Sequence, residues 1–466
     1  MSKASENTAK RWVLVLTSVA SFMVALDALV VTTALATIRL DLLASIETLE
    51  WVVNAYNLTF AVLLLTGAAL GDRFGRRRIF ATGLALFVVS SAACALSNNA
   101  ASLIAARAAQ GVGAALVMPL AMALLSAAFP REQRAKALGI LSGITGLALI
   151  AGPVFGGAIA AGFDWRWIFW INLPIGLVAL LLIRVRIAES RGPKTALDLG
   201  GLILATGAAL ATVSGLMRAA AAGWSDPQAL AAFAIGALLI LAFVAFEQRA
   251  RAPMIPMRLF ASRGFSAGNA VGFALYASMY GVVFFLPQFF AAQGNDPLGA
   301  GLRLLPWTAT LFVFAPIGGA LVNRIGEQML TAAGLTLQAI GFAWIAMTVT
   351  PDVSYIRLVL PLILAGAGVS LAMPAAQNAV LGALAPAEIG KAAGTFNMLR
   401  YLGGAFGIAV LAAAFTANGG FGSPAAFSAG FAWSIGVAAA LSFLGALAGL
   451  CLPGRKGRAA QALAKA

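Results

Sequence analysis

The chain has 466 residues, of which 61% are apolar and 10% are charged, and its formal net charge is +15. A soluble domain carries roughly 25% charged residues, so this chain is too apolar to be a water-soluble protein. It has no histidine, and Cys94 and Cys451 lie in separate apolar runs. We therefore predict no metal and no cofactor, and the apolar composition indicates the lipid bilayer and not nucleic acid as its partner.

Fourteen apolar runs follow one another along the chain, each long enough to cross ~30 Å of hydrocarbon as a helix. The first run lacks a small-residue cleavage site and is predicted to be an uncleaved span. The sequence therefore predicts an all-α polytopic membrane protein. The predicted spans are 12–35, 51–71, 79–97, 102–125, 137–161, 168–187, 197–217, 229–247, 264–288, 300–322, 329–349, 355–377, 391–415 and 425–452.

The Lys and Arg residues predict how these spans are oriented. With the N-terminus in the cytoplasm, 24 of the 31 basic residues fall in cytoplasmic segments and five fall on the opposite side. The remaining two, Arg107 and Arg400, lie inside spans. Basic residues concentrate on the cytoplasmic side of membrane proteins, so we predict that both termini are cytoplasmic.

Two segments of the chain repeat in its second half. Residues 67–75 read GAALGDRFG and residues 318–326 read GGALVNRIG, while 111–121 and 366–376 form a second pair. The two offsets nearly agree. Such a repeat predicts two six-helix halves, with a substrate site at the midplane where they meet.

The predicted organisation has three parts. An N-terminal six-helix half occupies 1–190, an inserted two-helix hairpin occupies 191–255, and a C-terminal six-helix half occupies 256–466.

Six segments jointly resemble the fourteen-span drug:proton antiporter family of the major facilitator superfamily, over nearly the whole chain. The resemblance implies the major facilitator fold, a monomer, and a bacterial cytoplasmic (inner) membrane location. It also implies proton-coupled export of lipophilic, cationic drug-like compounds by alternating access. The segments are Leu26-Asp27 with Val30-Val31-Thr32, Gly67 to Arg78, Arg107 with Gln110 to Gly113, Gly152-Pro153 with Gly156-Gly157, Trp165 to Pro174, and Phe396 to Arg400 with Gly403-Gly404.

Asp27 is the one acid of sixteen that the predicted spans place well inside the membrane. A charge there costs about 2.5–3.5 kcal/mol, so it is expected to face a cavity or a partner. We expect it to hold a proton until a cationic substrate binds beside it. Arg107 has a similar predicted depth, and the resemblance gives it a part in proton coupling. The alternatives are structural: an interhelical hydrogen bond for Asp27 and backbone carbonyls for Arg107.

The loop between spans 2 and 3 is predicted to be a gate. Asp72 is expected to accept hydrogen bonds at a helix N-terminus, and the arginines to pair with an acid such as Glu132. Alternatively, the arginines only set the topology. The second-half copy has Asn323 in place of Asp72, so any gate is asymmetric. The predicted gating residues are Gly71, Asp72, Arg73, Gly75, Arg76 and Glu132.

The glycine and proline residues of span 5 have two compatible interpretations. Pro153 is expected to bend the helix, and Gly152, Gly156 and Gly157 leave a flat face for close helix packing. The resemblance implies that this antiporter motif also seals the carrier against leakage.

Polar and aromatic residues in several spans are candidate linings of a substrate cavity. Aromatic rings can hold flat cations, although each residue taken alone is more often an ordinary helix contact. For Arg400 we consider a substrate anion, a partner across the cavity or backbone carbonyls. The predicted substrate-binding residues are Asp27, Asn54, Tyr56, Asn57, Tyr276, Tyr280, Gln377, Asn378, Asn397 and Arg400.

Two other functions remain open. The same fold would suit an exporter of an endogenous or anionic metabolite, which Arg400 motivates. A membrane enzyme or a channel is the other class. The sequence has no P-loop and no segment long enough for a soluble catalytic domain, and we find no selectivity filter. We therefore predict that the chain is not an enzyme.

Overall fold

The computed structural model describes residues 3–192, 197–384 and 388–454. These residues are helical almost throughout, and no β-strand occurs among them. Within these residues, fourteen helical segments are long and apolar enough to cross a membrane, and two of them, Trp167–Arg186 and Pro297–Val322, consist of consecutive shorter helices. The predicted all-helical class and the fourteen spans are therefore confirmed.

The chain separates into two compact units. The first unit comprises Met1–Thr206 and Asp296–Leu302. Its helices are α1 (Lys3–Asp41), α2 (Ile46–Phe74), α3 (Arg76–Ala95), α4 (Ala100–Ala128), α5 (Arg131–Gly162), α6 (Trp167–Trp170), α7 (Asn172–Arg186), the beginning of α8 (Leu199–Ala222), and α11 (Pro297–Leu302).

The second unit comprises Gly207–Asn295 and Arg303–Ala466. Most of the predicted inserted hairpin belongs to it, whereas the three-part boundaries at residues 190 and 255 stay a prediction. Its further helices are α9 (Pro227–Arg249), α10 (Arg263–Ala292), α12 (Leu305–Thr308), α13 (Thr310–Ile325), α14 (Glu327–Thr348), α15 (Ile356–Gly382), α16 (Ile389–Asn418) and α17 (Pro424–Leu450), with a short 3-10 helix at Met257–Ala261.

Several helices begin at polar residues that the sequence places between apolar runs. Ser45 accepts a hydrogen bond from the Thr48 N–H, and Asn99 accepts one from the Ser102 N–H. Asp226 caps α9 in the same way. Such side chains satisfy backbone donors that have no partner within the helix, so they fix where the helix starts.

The repeated segments share one backbone feature. Gly75 at the α2–α3 junction has φ 114°, and Gly326 at the α13–α14 junction has φ 85°. L-residues with a side chain rarely adopt these angles, which explains glycine at both positions. The repeat read from the sequence is therefore a structural repeat of two helix junctions.

A close approach of α2 and α4 positions the candidate site. A methyl group on Gly111 would lie 2.5 Å from the carbonyl oxygen of Tyr56. Small residues let two backbones pack this closely in a membrane protein. As a result, Arg107, one turn before Gly111 on α4, reaches the backbone of α2, where its Nε donates to the Val52 carbonyl oxygen at 3.2 Å.

Candidate functional site

A buried ion pair joins α1 and α4 in the first unit. Nη1 of Arg107 donates to Oδ2 of Asp27 at 2.5 Å, and each side chain is only 1% exposed. This direct contact agrees with the similar depth that we predicted for the two residues. Their role in proton coupling stays a prediction.

Two further side chains complete the surroundings of this pair. Gln110 Nε2 and Asn172 Nδ2 both donate to Oδ1 of Asp27, at 2.9 and 3.1 Å. Gln110 Oε1 in turn accepts from Arg107 Nη1 at 2.7 Å. Asp27 thus accepts three hydrogen bonds from side chains on α4 and α7. Buried charges are stable only with such a complete set of partners.

Tyr56 supports the pair from one side. The Arg107 guanidinium carbon lies 4.3 Å from the centre of the Tyr56 ring, and the Tyr56 hydroxyl donates to the Val24 carbonyl at 3.2 Å. The ring is fully buried. We predicted Tyr56 as a substrate-binding residue, but here it contacts Arg107 through a cation–π interaction.

The charges of this arrangement balance when Asp27 is ionised. With Asp27 ionised, the pair is neutral and every oxygen of the carboxylate has a donor. A proton on Asp27 removes the attraction and leaves Arg107 without a counter-charge. The Asp27 carboxylate is thus the counter-charge of Arg107.

Asp27 is not the only buried acid among the described residues, although the others lie near helix ends. Glu50 is 1% exposed on α2, and its Oε2 has no hydrogen-bond partner among the described residues. The helix begins at Ile46, five residues before the predicted span, so Glu50 lies inside it. Glu247 is buried near the end of α9 as well, where it accepts from the Ile255 N–H.

Asn54 and Asn57 share the helical face of Glu50, because residues three or four apart are neighbours on a helix. Both asparagines are buried. Neither oxygen nor nitrogen of the Asn54 amide has a partner among the described residues, and the same holds for the Asn57 nitrogen. Their predicted contact with substrate is not tested by this structure.

The α2–α3 junction differs from the predicted gate in one respect. Oδ1 of Asp72 accepts from Nε of Arg76 at 2.7 Å. Asp72 was expected to accept from the N-terminus of a helix, but the residue that does so is Glu189. Its two oxygens accept from the N–H groups of Arg77 and Arg78 at 2.9 and 3.2 Å. Because α2 and α3 are separated only by Gly75, Asp72 remains within α2 beside Arg76.

The segment after α7, residues 187–192, lies across this junction. The Arg76 N–H donates to the Ser190 carbonyl at 2.8 Å, and the Gly192 N–H donates to the Asp72 carbonyl at 3.2 Å. Arg77 also reaches the Ile187 carbonyl. The side chains of Glu132 and Asn323, which we named for the gate, lie outside the described residues.

Glycines of α5 contact α1 directly. A methyl group on Gly152 would lie 2.6 Å from Cβ of Leu29, and one on Gly156 would lie 2.6 Å from the Val30 carbonyl oxygen. Gly157 faces α11 just as closely. The packing interpretation of these glycines is confirmed, and Pro153 lies within α5 between them.

In the second unit, Arg400 on α16 lies against tyrosines. Its guanidinium carbon is 4.4 Å from the Tyr276 ring centre and 5.2 Å from that of Tyr401. Tyr280 lies between these two rings, at 6.2 and 6.3 Å. Two of the three tyrosines were predicted as substrate-binding residues, while Tyr401 was missed even though it follows Arg400 directly in sequence.

The other predicted binding residues do not join this cluster through any recorded hydrogen bond. Asn378 donates to Oε1 of Glu327 at 3.0 Å, at the first residue of α14. Asn397 donates to the Ala393 carbonyl of its own helix, and Gln377 is exposed. Their predicted role stays open.

Comparison with known proteins gives a consistent result. A family model described as "Major Facilitator Superfamily" matches residues 17–408. The "Tetracenomycin C resistance and export protein" of Streptomyces glaucescens is 36% identical over 84% of this chain and 74% of that relative. The "Multidrug transporter protein MdtP" of Bacillus subtilis is 32% identical over 90% of this chain and 78% of that relative.

Solved structures agree at the level of the fold. The crystal structure of a POT family transporter superposes with a TM-score of 0.71, at 14% identity, over 93% of this chain and 94% of that one. The fourteen apolar helices, the family model and the transporter relatives describe a multi-pass membrane transporter and not an enzyme. The chain belongs to the major facilitator superfamily.

Proposed function

We propose that this chain exports lipophilic, drug-like compounds from the bacterial cytoplasm across the inner membrane in exchange for protons. The buried Asp27–Arg107 pair is the observation that carries this proposal. The names of the relatives, which include an antibiotic resistance and export protein and a multidrug transporter, support the substrate class. Both termini are cytoplasmic in this proposal, and the working form is a monomer.

The coupling follows from competition for one carboxylate. A proton entering from outside neutralises Asp27 and removes the counter-charge of Arg107, which then keeps only its contacts with Gln110 Oε1 and the Val52 carbonyl. That rearrangement shifts the balance between the outward-facing and inward-facing states of the carrier. Loss of the proton to the cytoplasm restores the ion pair, and alternating access returns the carrier to its first state.

The charge of the substrate is a separate matter. We predicted a cationic substrate that binds beside Asp27, but the three donors described above already occupy both oxygens of this carboxylate. A cation would have to displace Arg107. The second candidate, an exporter of anionic compounds, is favoured by Arg400, which forms no ion pair among the described residues.

Transport in proteoliposomes with an imposed pH gradient tests the coupling. We expect a wild-type carrier to move a lipophilic dye only while the gradient lasts, and Asp27→Asn to lose this dependence. Asp164→Asn is the control, because Asp164 is an exposed acid paired with Arg166 at 3.3 Å. An Asp27→Asn protein that stays monodisperse and keeps full gradient dependence would contradict the proposal.

A further inference from the structure

Arg400 lies far from the ends of its helix and forms no ion pair within the described chain. It lies about 16 Å along the helix axis from the first residue of α16, because an α-helix rises 1.5 Å per residue. None of the salt bridges among the described residues includes it, and its Nε has no hydrogen-bond acceptor there. A cation inside a span without a counter-charge is costly, so it indicates a functional site.

Three of the chain's five tyrosines surround this guanidinium. The rings of Tyr276 and Tyr401 lie within 4.4 and 5.2 Å of its carbon, and the Tyr280 side chain interacts with both Arg400 and Tyr401. Aromatic rings stabilise a nearby cation. They are not the planar, bidentate acceptor that the edge of a guanidinium prefers.

Close packing of α10 and α16 holds these rings in position. A methyl group on Gly404 would lie 3.1 Å from the ring of Tyr280, and one on Gly403 would lie 2.6 Å from the Phe273 carbonyl oxygen. Tyr276 and Tyr280 are 2% and 7% exposed, whereas Arg400 is partly exposed. The rings are thus fixed in place beside a guanidinium whose Nε is buried and has no acceptor among the described residues.

Arg107 and Arg400, the two arginines that the sequence places inside spans, differ in whether a carboxylate lies beside the guanidinium. Arg107 lies 4.3 Å from a tyrosine ring and has the carboxylate of Asp27 at its edge. Arg400 lies 4.4 Å from a tyrosine ring and has no carboxylate partner within the described part of the chain. The described residues therefore supply an anion at Arg107 and none at Arg400.

We propose that Arg400, Tyr276, Tyr280 and Tyr401 form the binding site for the anionic group of the exported compound. The site takes a planar organic anion, such as an aromatic carboxylate or phenolate, whose oxygens accept from the guanidinium while its rings contact the tyrosines. This inference rests on the proposed export function and narrows its substrate class.

Binding of two dyes that share one ring system tests the site. Fluorescein is anionic at neutral pH, and rhodamine 123 carries the same xanthene core with a positive charge. We would measure fluorescence polarisation of each dye with the purified full chain in lipid nanodiscs. We expect wild type to bind fluorescein more tightly than rhodamine 123, and Arg400→Gln to bind fluorescein about tenfold or more weaker.

Arg303→Gln is the matched control. Arg303 also lies beside two aromatic rings in the second unit, at 5.9 Å from Phe290 and 5.3 Å from Tyr355, but it precedes α12 and α13 and is not part of the Arg400 cluster. We expect this variant to bind both dyes as wild type does.

If Arg400→Gln does not fold, Arg400→Lys is tested in its place, because lysine keeps the charge but loses the planar donor edge. Several-fold weaker fluorescein binding by Arg400→Lys, with rhodamine 123 unchanged, supports the site.

The outcomes separate this inference from the proposed function. Equal fluorescein affinity in wild type, Arg400→Gln and Arg400→Lys would overturn the anion site. So would a wild type that binds rhodamine 123 and not fluorescein, although export of drug-like compounds would survive that result. A wild type that binds neither dye and shows no gradient-driven dye transport would overturn both.

Discussion

The Glu189 carboxylate lies 2.9 Å from the backbone N–H of Arg77, although 112 residues separate them in the chain. Its second oxygen accepts from the next N–H along α3. One side chain in a linker therefore satisfies two backbone donors at the start of a helix. A carboxylate is well suited to this position because the N-terminus of a helix carries a partial positive charge.

We predict that Glu189→Ala destabilises the first unit by about 0.5–2 kcal/mol, the usual cost of losing a helix cap. Thermal unfolding of the purified protein in detergent would show this as a lower Tm. The Tm of Glu189→Gln should lie between those of wild type and Glu189→Ala, since an amide oxygen accepts a hydrogen bond but carries no charge. An alanine variant with the Tm of wild type would show that the contact contributes nothing.

The same contact bears on what the sequence can reveal. Glu189 stands in a polar linker after α7, and nothing nearby distinguishes it from a solvated loop residue. Its partners are backbone N–H groups, which have no sequence signature. Only the three-dimensional path of residues 187–192 across the α2–α3 junction brings it there.

Other features could be predicted because their causes are local. The fourteen spans follow from apolar runs and polar caps, and both are visible in the sequence. The similar depth of Asp27 and Arg107 could be predicted because a helix rises by a fixed amount per residue, whereas their direct contact depends on how α1 and α4 pack. Glu50 was missed for a local reason too: the apolar run begins at Trp51, but the helix begins at Ile46.

The buried pair predicts strongly non-additive effects of mutation. Asp27→Asn leaves Arg107 without a counter-charge, and we expect a cost of about 3–5 kcal/mol, as is usual when one partner of a buried pair is removed. Arg107→Gln should cost a similar amount. The double variant should cost clearly less than the sum, because it leaves no unpaired charge. Thermal unfolding of the four proteins in one detergent measures this, and additive Tm changes would contradict the coupling.

Glu50→Gln is predicted to behave differently from Asp27→Asn. Glu50 is buried without an ion-pair partner among the described residues, so removing its charge breaks no ion pair. Replacing it with an amide of the same shape should change stability by less than about 1 kcal/mol. Comparing the Tm of the two variants tests the assignment. If Glu50→Gln lowered the Tm as much as Asp27→Asn does, Glu50 would be a charged group that the fold stabilises.

Packing between α5 and α1 gives the last prediction. In Gly156→Ala the added methyl group would meet the Val30 carbonyl at 2.6 Å, so the two helices have to separate. Forcing extra volume into a packed contact costs about 1–3 kcal/mol. Gly143→Ala on the same helix is the control, because its methyl group would meet nothing within 4 Å and alanine favours helix over glycine by about 1 kcal/mol.

The two variants should therefore shift the Tm in opposite directions, down for Gly156→Ala and unchanged or up for Gly143→Ala. If the α1–α5 contact also seals the carrier, Gly156→Ala should raise the passive proton leak of proteoliposomes, whereas Gly143→Ala should not. A pH-sensitive dye trapped inside the vesicles measures that leak. A lower Tm without a leak would restrict these glycines to helix packing, and an unchanged Tm would contradict the packing itself.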